Sequence, residues 1–118
     1  MILVFIGGGI GSVCRFLINS ISTISHPTFP FPTFLVNLFG SLLIGIFMAL
    51  FLDSNPTSEN WKLLLISGFC GGFTTFSAFS KESFEMIQNQ QWSTLSLYVF
   101  LSLAVCIGAT ALGFNLAK

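Results

Sequence analysis

Apolar positions run almost without interruption along this chain, and only three short clusters of Pro, Asn, Ser, Asp and Gln break the run. Crossing a hydrocarbon core takes about 20 predominantly apolar residues. Four stretches meet that length, at about 2 to 22, 33 to 52, 61 to 88 and 93 to 117. The pattern therefore predicts an all-α membrane protein, a single four-helix transmembrane domain over residues 1–118. The predicted connections are short: Ser25 to Pro32 with three prolines, Asp53 to Asn60 with an Asn-Pro turn signal, and a polar stretch at Gln88 to Gln91. Trp61 and Trp92 open the third and fourth stretches, where amphipathic rings anchor at the headgroup level.

Composition points the same way. Charged residues make up 7% of the chain against about a quarter in a soluble domain, too few to cover a water-facing surface, so the solvent for most of the chain is lipid. Net charge is zero and no basic cluster exists, which leaves nucleic acid and anionic lipid headgroups without an electrostatic footprint. The apolar start at Ile2 lacks the basic region of a signal peptide and reads as a retained first helix. Cys14, Cys70 and Cys106 are odd in number, far apart and set among apolar residues, so they read as small hydrophobes. A single histidine, His26, and the lack of an intramembrane acid pair or a Ser, His, Asp set argue against an enzyme. Arg15 and Lys81 fall toward one side of the membrane and Lys62 and Lys118 toward the other. That near-even balance gives the positive-inside rule little to act on and predicts insertion in both orientations.

The third stretch carries the strongest signal. As one helix from Trp61 to Ile87 it would be about 40 Å long, against a hydrocarbon core of about 30 Å. Gly71, Gly72, Phe73, Thr74 and Thr75 predict an interruption at its midpoint, where broken helices occur beside a cavity or a bound ion. A break frees carbonyls for a hard cation such as sodium, and it frees amides; a glycine-rich packing site between helices is the competing reading. Phe76 and Phe79 share a face beyond the break, with Ser77 and Ser80 beside them. Ring edges are positive and attract an anion without trapping it, but with fifteen Phe most must be lipid-facing or core.

Other polar positions divide between pathway and helix glue. Asn37, Ser41 and Gly45 share one face of the second stretch, and the amide of Asn37 suits either a small anion or a neighbouring helix. Thr94, Tyr98, Ser102, Cys106 and Thr110 form a stripe on the fourth, which is either a track or hydroxyls bonded to their own helix. Gly7, Gly11 and Arg15 align on the first, and Arg15 either snorkels to headgroups or sits at a pore mouth. Glu82 and Glu85 read as an ordinary solvated helix end rather than vestibule carboxylates.

GGGIGSVCRF, FLVNLFGSLLIG, GFCGGFTTFSAFS and TALGF together resemble the small fluoride channels called Fluc or CrcB over essentially the whole chain. The resemblance implies an antiparallel, dual-topology dimer of four-helix subunits with two pores and a central structural sodium ion. It implies fluoride contact at Asn37, Phe76 and Phe79, with Ser77 near the path and a hydroxyl track through Tyr98, Ser102 and Thr110, while carbonyls of Gly71 and Thr74 hold the sodium. Arg15 would offset the anion's charge. Even charge favours a homodimer over pairing with a diverged sibling chain, and a short chain without a targeting segment suits the bacterial inner membrane. Ala78 replaces the threonine of many relatives and Cys106 the frequent serine, and each change removes a good donor. Two rivals remain: a proton-coupled four-helix exporter, which needs a deep carboxylate that the first stretch lacks, and a non-conducting assembly subunit.

Overall fold

The computed structural model describes residues 1–21 and 29–118, all built from helix and short turns. His26 and the first part of the Ser25 to Pro32 connection lie outside the described residues. In chain order the elements are α1 (Ile2–Ile21), α2 (Phe31–Leu50), α3 (Pro56–Trp61), a π-helical segment (Lys62–Cys70), α4 (Gly71–Phe73), α5 (Phe76–Gln88) and α6 (Trp92–Ala117). Elements α3 to α5 follow one another in a third span, Pro56–Gln88, so that among the described residues four helices are long and apolar enough to cross a membrane.

Two boundaries differ from the sequence pattern, both because proline opens a helix here rather than ending a loop. Pro32 sits in the first turn of α2, where a missing N–H breaks no helical bond, and the helix begins at Phe31. The third span begins at Pro56 instead of Trp61. Asn55 caps it: its side chain accepts from the Ser58 amide at 2.8 Å, and its own amide donates to Ser58 Oγ at 3.1 Å. That reciprocal pair satisfies two orphan amides, so the Asn-Pro signal marks a helix start.

With 33 residues the third span exceeds the membrane core even more than the sequence suggests. It departs from α-helix twice: in the π-helical stretch, whose wider turns follow i→i+5 bonding, and at Thr74 and Thr75, whose backbone is extended (ψ 158° and 114°). The interruption is therefore narrower than the predicted run, because Gly71 and Gly72 remain helical. Gly72 works by lacking a side chain, since a Cβ there would stand 2.3 Å from the Gly8 carbonyl oxygen. Gly11 does the same from the other side, 2.2 Å from Phe69 O, so α1 lies backbone to backbone along the third span. Gly71 is different: the nearest atom to its Cβ would be 3.9 Å away. The close-packing reading of the double glycine thus holds for one residue and not the other.

A second seam joins α2 to α6, where a Cβ on Gly45 would meet Thr110 O at 2.0 Å. Outside these seams the chain buries little of itself. Only 11% of the apolar window of α1 and 17% of that of α6 is buried, which leaves Phe5, Ile10, Phe100 and Ile107 on faces that lipid or another chain must cover.

Candidate functional site

The break at Thr74 and Thr75 organises everything around it. In an unbroken helix the Thr75 amide would donate to Gly71 O and the Ala78 amide to Thr74 O. Here the Thr75 N–H donates instead to Asn37 Oδ1 at 2.7 Å, while Asn37 Nδ2 donates to Thr75 O at 3.1 Å. The Ala78 N–H donates to Thr75 Oγ1 at 3.1 Å, which caps α5. One residue of α2 thereby satisfies both backbone groups of the extended threonine, as a membrane interior demands. Gly71 and Thr74, the carbonyls named for sodium, are among those that the break releases, and their helical donors now bond elsewhere. The Gly72 carbonyl, also released, accepts from Ser12 Oγ at 3.4 Å.

Two clefts flank Thr75, and it lines both. The first, about 240 Å³, lies between α2, α5 and α6 and gathers Asn37, Phe76, Phe79, Ser102 and Cys106 around Ser41 and Ile44. Among the described residues no charged side chain lines it. The Phe76 and Phe79 rings stand 5.6 Å apart at 38°, with Phe76 77% exposed on the outer surface. The second cleft, about 440 Å³, lies between α1 and α5 and holds Arg15, Lys81, Ser12, Asn19 and Ser77. Ser77 therefore belongs to the cationic side, where its hydroxyl also meets Thr75 Oγ1 at 3.1 Å.

The fourth-span stripe is split in the same way. Ser102 and Cys106 face the aromatic cleft. Thr110 does not line it: its hydroxyl donates to Ser41 O at 3.0 Å and Cys106 O at 3.1 Å, inside the α2–α6 seam. Tyr98 is wholly buried, and its ring stands 5.1 Å from that of Phe79. Its hydroxyl donates to Glu82 Oε2 at 3.1 Å, and the Thr33 hydroxyl donates to Glu82 Oε1.

This corrects the reading of Glu82 as part of a solvated helix end. Glu82 is half-buried and held by hydroxyls from two other spans, because one turn past Phe79 it still faces α2 and α6. Glu85 does behave as such an end, exposed and paired with Lys81 at 2.6 Å. The sequence pattern places Thr75 in the interruption without giving it a contact, and it passes over Thr33, Ser12 and Asn19. Only Thr75 had a local signal, as a threonine three residues before an amide that needs a cap.

The family model described as "CrcB-like protein, Camphor Resistance (CrcB)" matches residues 2–114. The chain belongs to the CrcB-like family. It is 46% identical over 117 residues to the "Fluoride-specific ion channel FluC" of Azobacteroides pseudotrichonymphae, covering 98% of this chain and 94% of that one. It is 42% identical over 116 residues to the protein of the same description from Pectobacterium carotovorum (98% and 91% covered), and 40% identical over 114 residues to that of Escherichia coli strain K12 (97% and 90% covered). These CrcB-like relatives are named as ion channels rather than enzymes, and with its four apolar spans this CrcB-like chain is a multi-pass membrane protein.

Proposed function

We propose that this chain is a fluoride-selective channel that lets cytoplasmic fluoride leave a bacterium passively across its inner membrane, as an antiparallel, dual-topology homodimer around a structural sodium ion. Relatives named as fluoride-specific channels across nearly the full length support the ion. The observation that carries the mechanism is a cleft beside the helix break whose donors are all uncharged. Fluoride is small and strongly hydrated, so a path must replace its water with several short-range donors while avoiding one deep well. Asn37, Ser102, the Phe76 and Phe79 rings and the weaker thiol of Cys106 offer such a set. Arg15 in the neighbouring cleft concentrates anions beside Thr75 without standing in the uncharged stretch, while Glu85 offsets the charge of Lys81.

Sodium fits the residues present. Gly71 is exposed and unobstructed, and Gly71 and Thr74 carry the carbonyls whose helical donors are engaged elsewhere. Two such oxygens from each of two subunits make a hard-oxygen set of four. When bound, the ion would supply a fixed positive charge at the centre of the dimer. Four cations spread evenly over the two sides support insertion in both orientations.

Purified protein in liposomes tests the reading: fluoride efflux with little chloride efflux is expected, and absence of both would sink it. Reporter fusions at Lys118 are expected on both faces of the membrane, and uniform placement on one face excludes dual topology. A Cβ on Gly71 would have nothing nearer than 3.9 Å in its own chain, so a stable, dimeric, conducting Gly71→Val variant would remove the sodium role of that carbonyl.

A further inference from the structure

The turn before α2 is built with more care than a connection requires. Pro30 stands at φ −82° and ψ 72°, and the Phe31 amide donates to Phe29 O at 3.0 Å, which together make an inverse γ-turn. Proline fixes that φ in advance. The turn folds the Phe29 ring back onto α2, where it meets Phe34 at 5.8 Å and 69°. Pro30 is the N-cap, so Phe29 and Phe34 occupy the two positions of a hydrophobic staple. The same ring stands 5.4 Å from Tyr98, edge-on at 80°.

Tyr98 is thus held between two rings, Phe79 from inside the bundle and Phe29 from the connection. Its hydroxyl is one of two that Glu82 accepts; the other, from Thr33, lies in the turn of α2 that Phe29 staples. Phe29 therefore reaches both donors, one by ring contact and one through the helix start. A carboxylate is an acceptor only, and one turn past Phe79 its charge opposes a nearby anion the less, the more donors hold its oxygens.

We propose that Phe29 is a positioning residue for ion passage, its ring holding the hydroxyls of Tyr98 and Thr33 on Glu82 and closing that site from the connection side. This rests on the fluoride-channel reading above, and nothing in the sequence pattern distinguishes Phe29 from fourteen other phenylalanines.

The test pairs Phe29→Ala with Tyr98→Phe in liposome fluoride flux. Phe29→Ala is expected to lower flux about tenfold, the equivalent of ~1.4 kcal/mol and of one aromatic pair. In a Tyr98→Phe background, where the hydroxyl is already gone, the further loss is expected to stay under about threefold, because residues acting through one another are non-additive. Equal losses in both backgrounds, no loss, or a gain in flux would each overturn the proposal. Should Phe29→Ala fail to fold, Phe29→Leu keeps the apolar contact with Phe34, loses the ring and is read by the same criteria. Tyr98 is the one tyrosine of the chain, so second-derivative ultraviolet absorbance reads its burial without any flux. Phe29→Ala should shift that signal toward exposed tyrosine, and an unchanged spectrum counts against the proposal. A wild-type protein without fluoride flux removes the channel reading instead, and the tyrosine signal still decides whether Phe29 holds the ring.

Discussion

The clefts on either side of Thr75 share a wall and differ in almost every other respect. Toward α2 and α6 the lining is aromatic and aliphatic side chains, an amide, hydroxyls and a thiol, with no charge among the described residues. Toward α1 two cations, Arg15 and Lys81, face hydroxyls and the amide of Asn19. A cation raises the local concentration of an anion but also holds it, whereas dipoles and ring edges can compensate lost hydration without a deep minimum. Separating the two kinds of chemistry by one residue lets each do what the other would spoil. The wall itself is extended backbone, held by Asn37, and its integrity matters to both clefts.

The largest effect should therefore come from the wall. Asn37→Ala strands the amide and carbonyl of Thr75 away from water, at ~1 to 3 kcal/mol for each group. A fall in fluoride flux of about a hundredfold, equivalent to ~2.7 kcal/mol, is expected with a lowered melting temperature. Asn37→Asp keeps the acceptor for Thr75 N–H but loses the donor, and should fall between. Wild-type flux and melting in Asn37→Ala would mean that the break holds itself and that the contrast between the clefts does not depend on α2.

Next comes the uncharged side. Phe79→Ile keeps an apolar side chain and removes a ring that touches both Phe76 and Tyr98. Flux should drop at least about tenfold, aromatic pairs being worth ~0.5 to 1.5 kcal/mol each, while size-exclusion elution stays unchanged. An equal drop for every anion tested would mean that the ring only shapes the cleft and does not meet the ion.

The cationic side predicts a smaller change of a different kind. Arg15→Gln should slow fluoride entry by about threefold at low salt, and the difference should vanish near 1 M salt, where screening acts within about 3 Å. A salt-independent loss would place Arg15 in the uncharged path after all, and the separation of the clefts would collapse.

Much of this arrangement was legible in the chain, and the illegible part has a common cause. Excess length in the third stretch and the Gly71 to Thr75 run announced a break, because a membrane helix has a fixed span to fit. The alignment of Gly7 and Gly11 announced a seam for the same periodic reason, and both are buried in α1. What stayed hidden is which polar groups meet across spans. Thr33, Glu82 and Tyr98 come from three segments with no shared spacing, and Glu82 beside Glu85 looks like any solvated turn. Likewise, the polar stripe of the fourth span runs unbroken in sequence from Thr94 to Thr110, yet Thr110 is turned into the seam by the close approach at Gly45.

That split stripe supplies the smallest and most discriminating change. Cys106 and Thr110 are one helical turn apart, and only Cys106 faces the aromatic cleft. Cys106→Ser replaces a weak donor with a stronger one of nearly the same shape, so flux should rise by about twofold, equivalent to ~0.4 kcal/mol and just under the ~0.5 to 1.5 kcal/mol of one ordinary hydrogen bond, because the thiol already donates weakly. Thr110→Val removes a hydroxyl whose partners are two carbonyls in the seam, so it should lower the melting temperature by a few degrees with little change in ion selectivity. If the two variants instead changed flux alike and stability alike, the uncharged cleft would extend past Cys106 into the seam, and the boundary drawn at that turn would have to move.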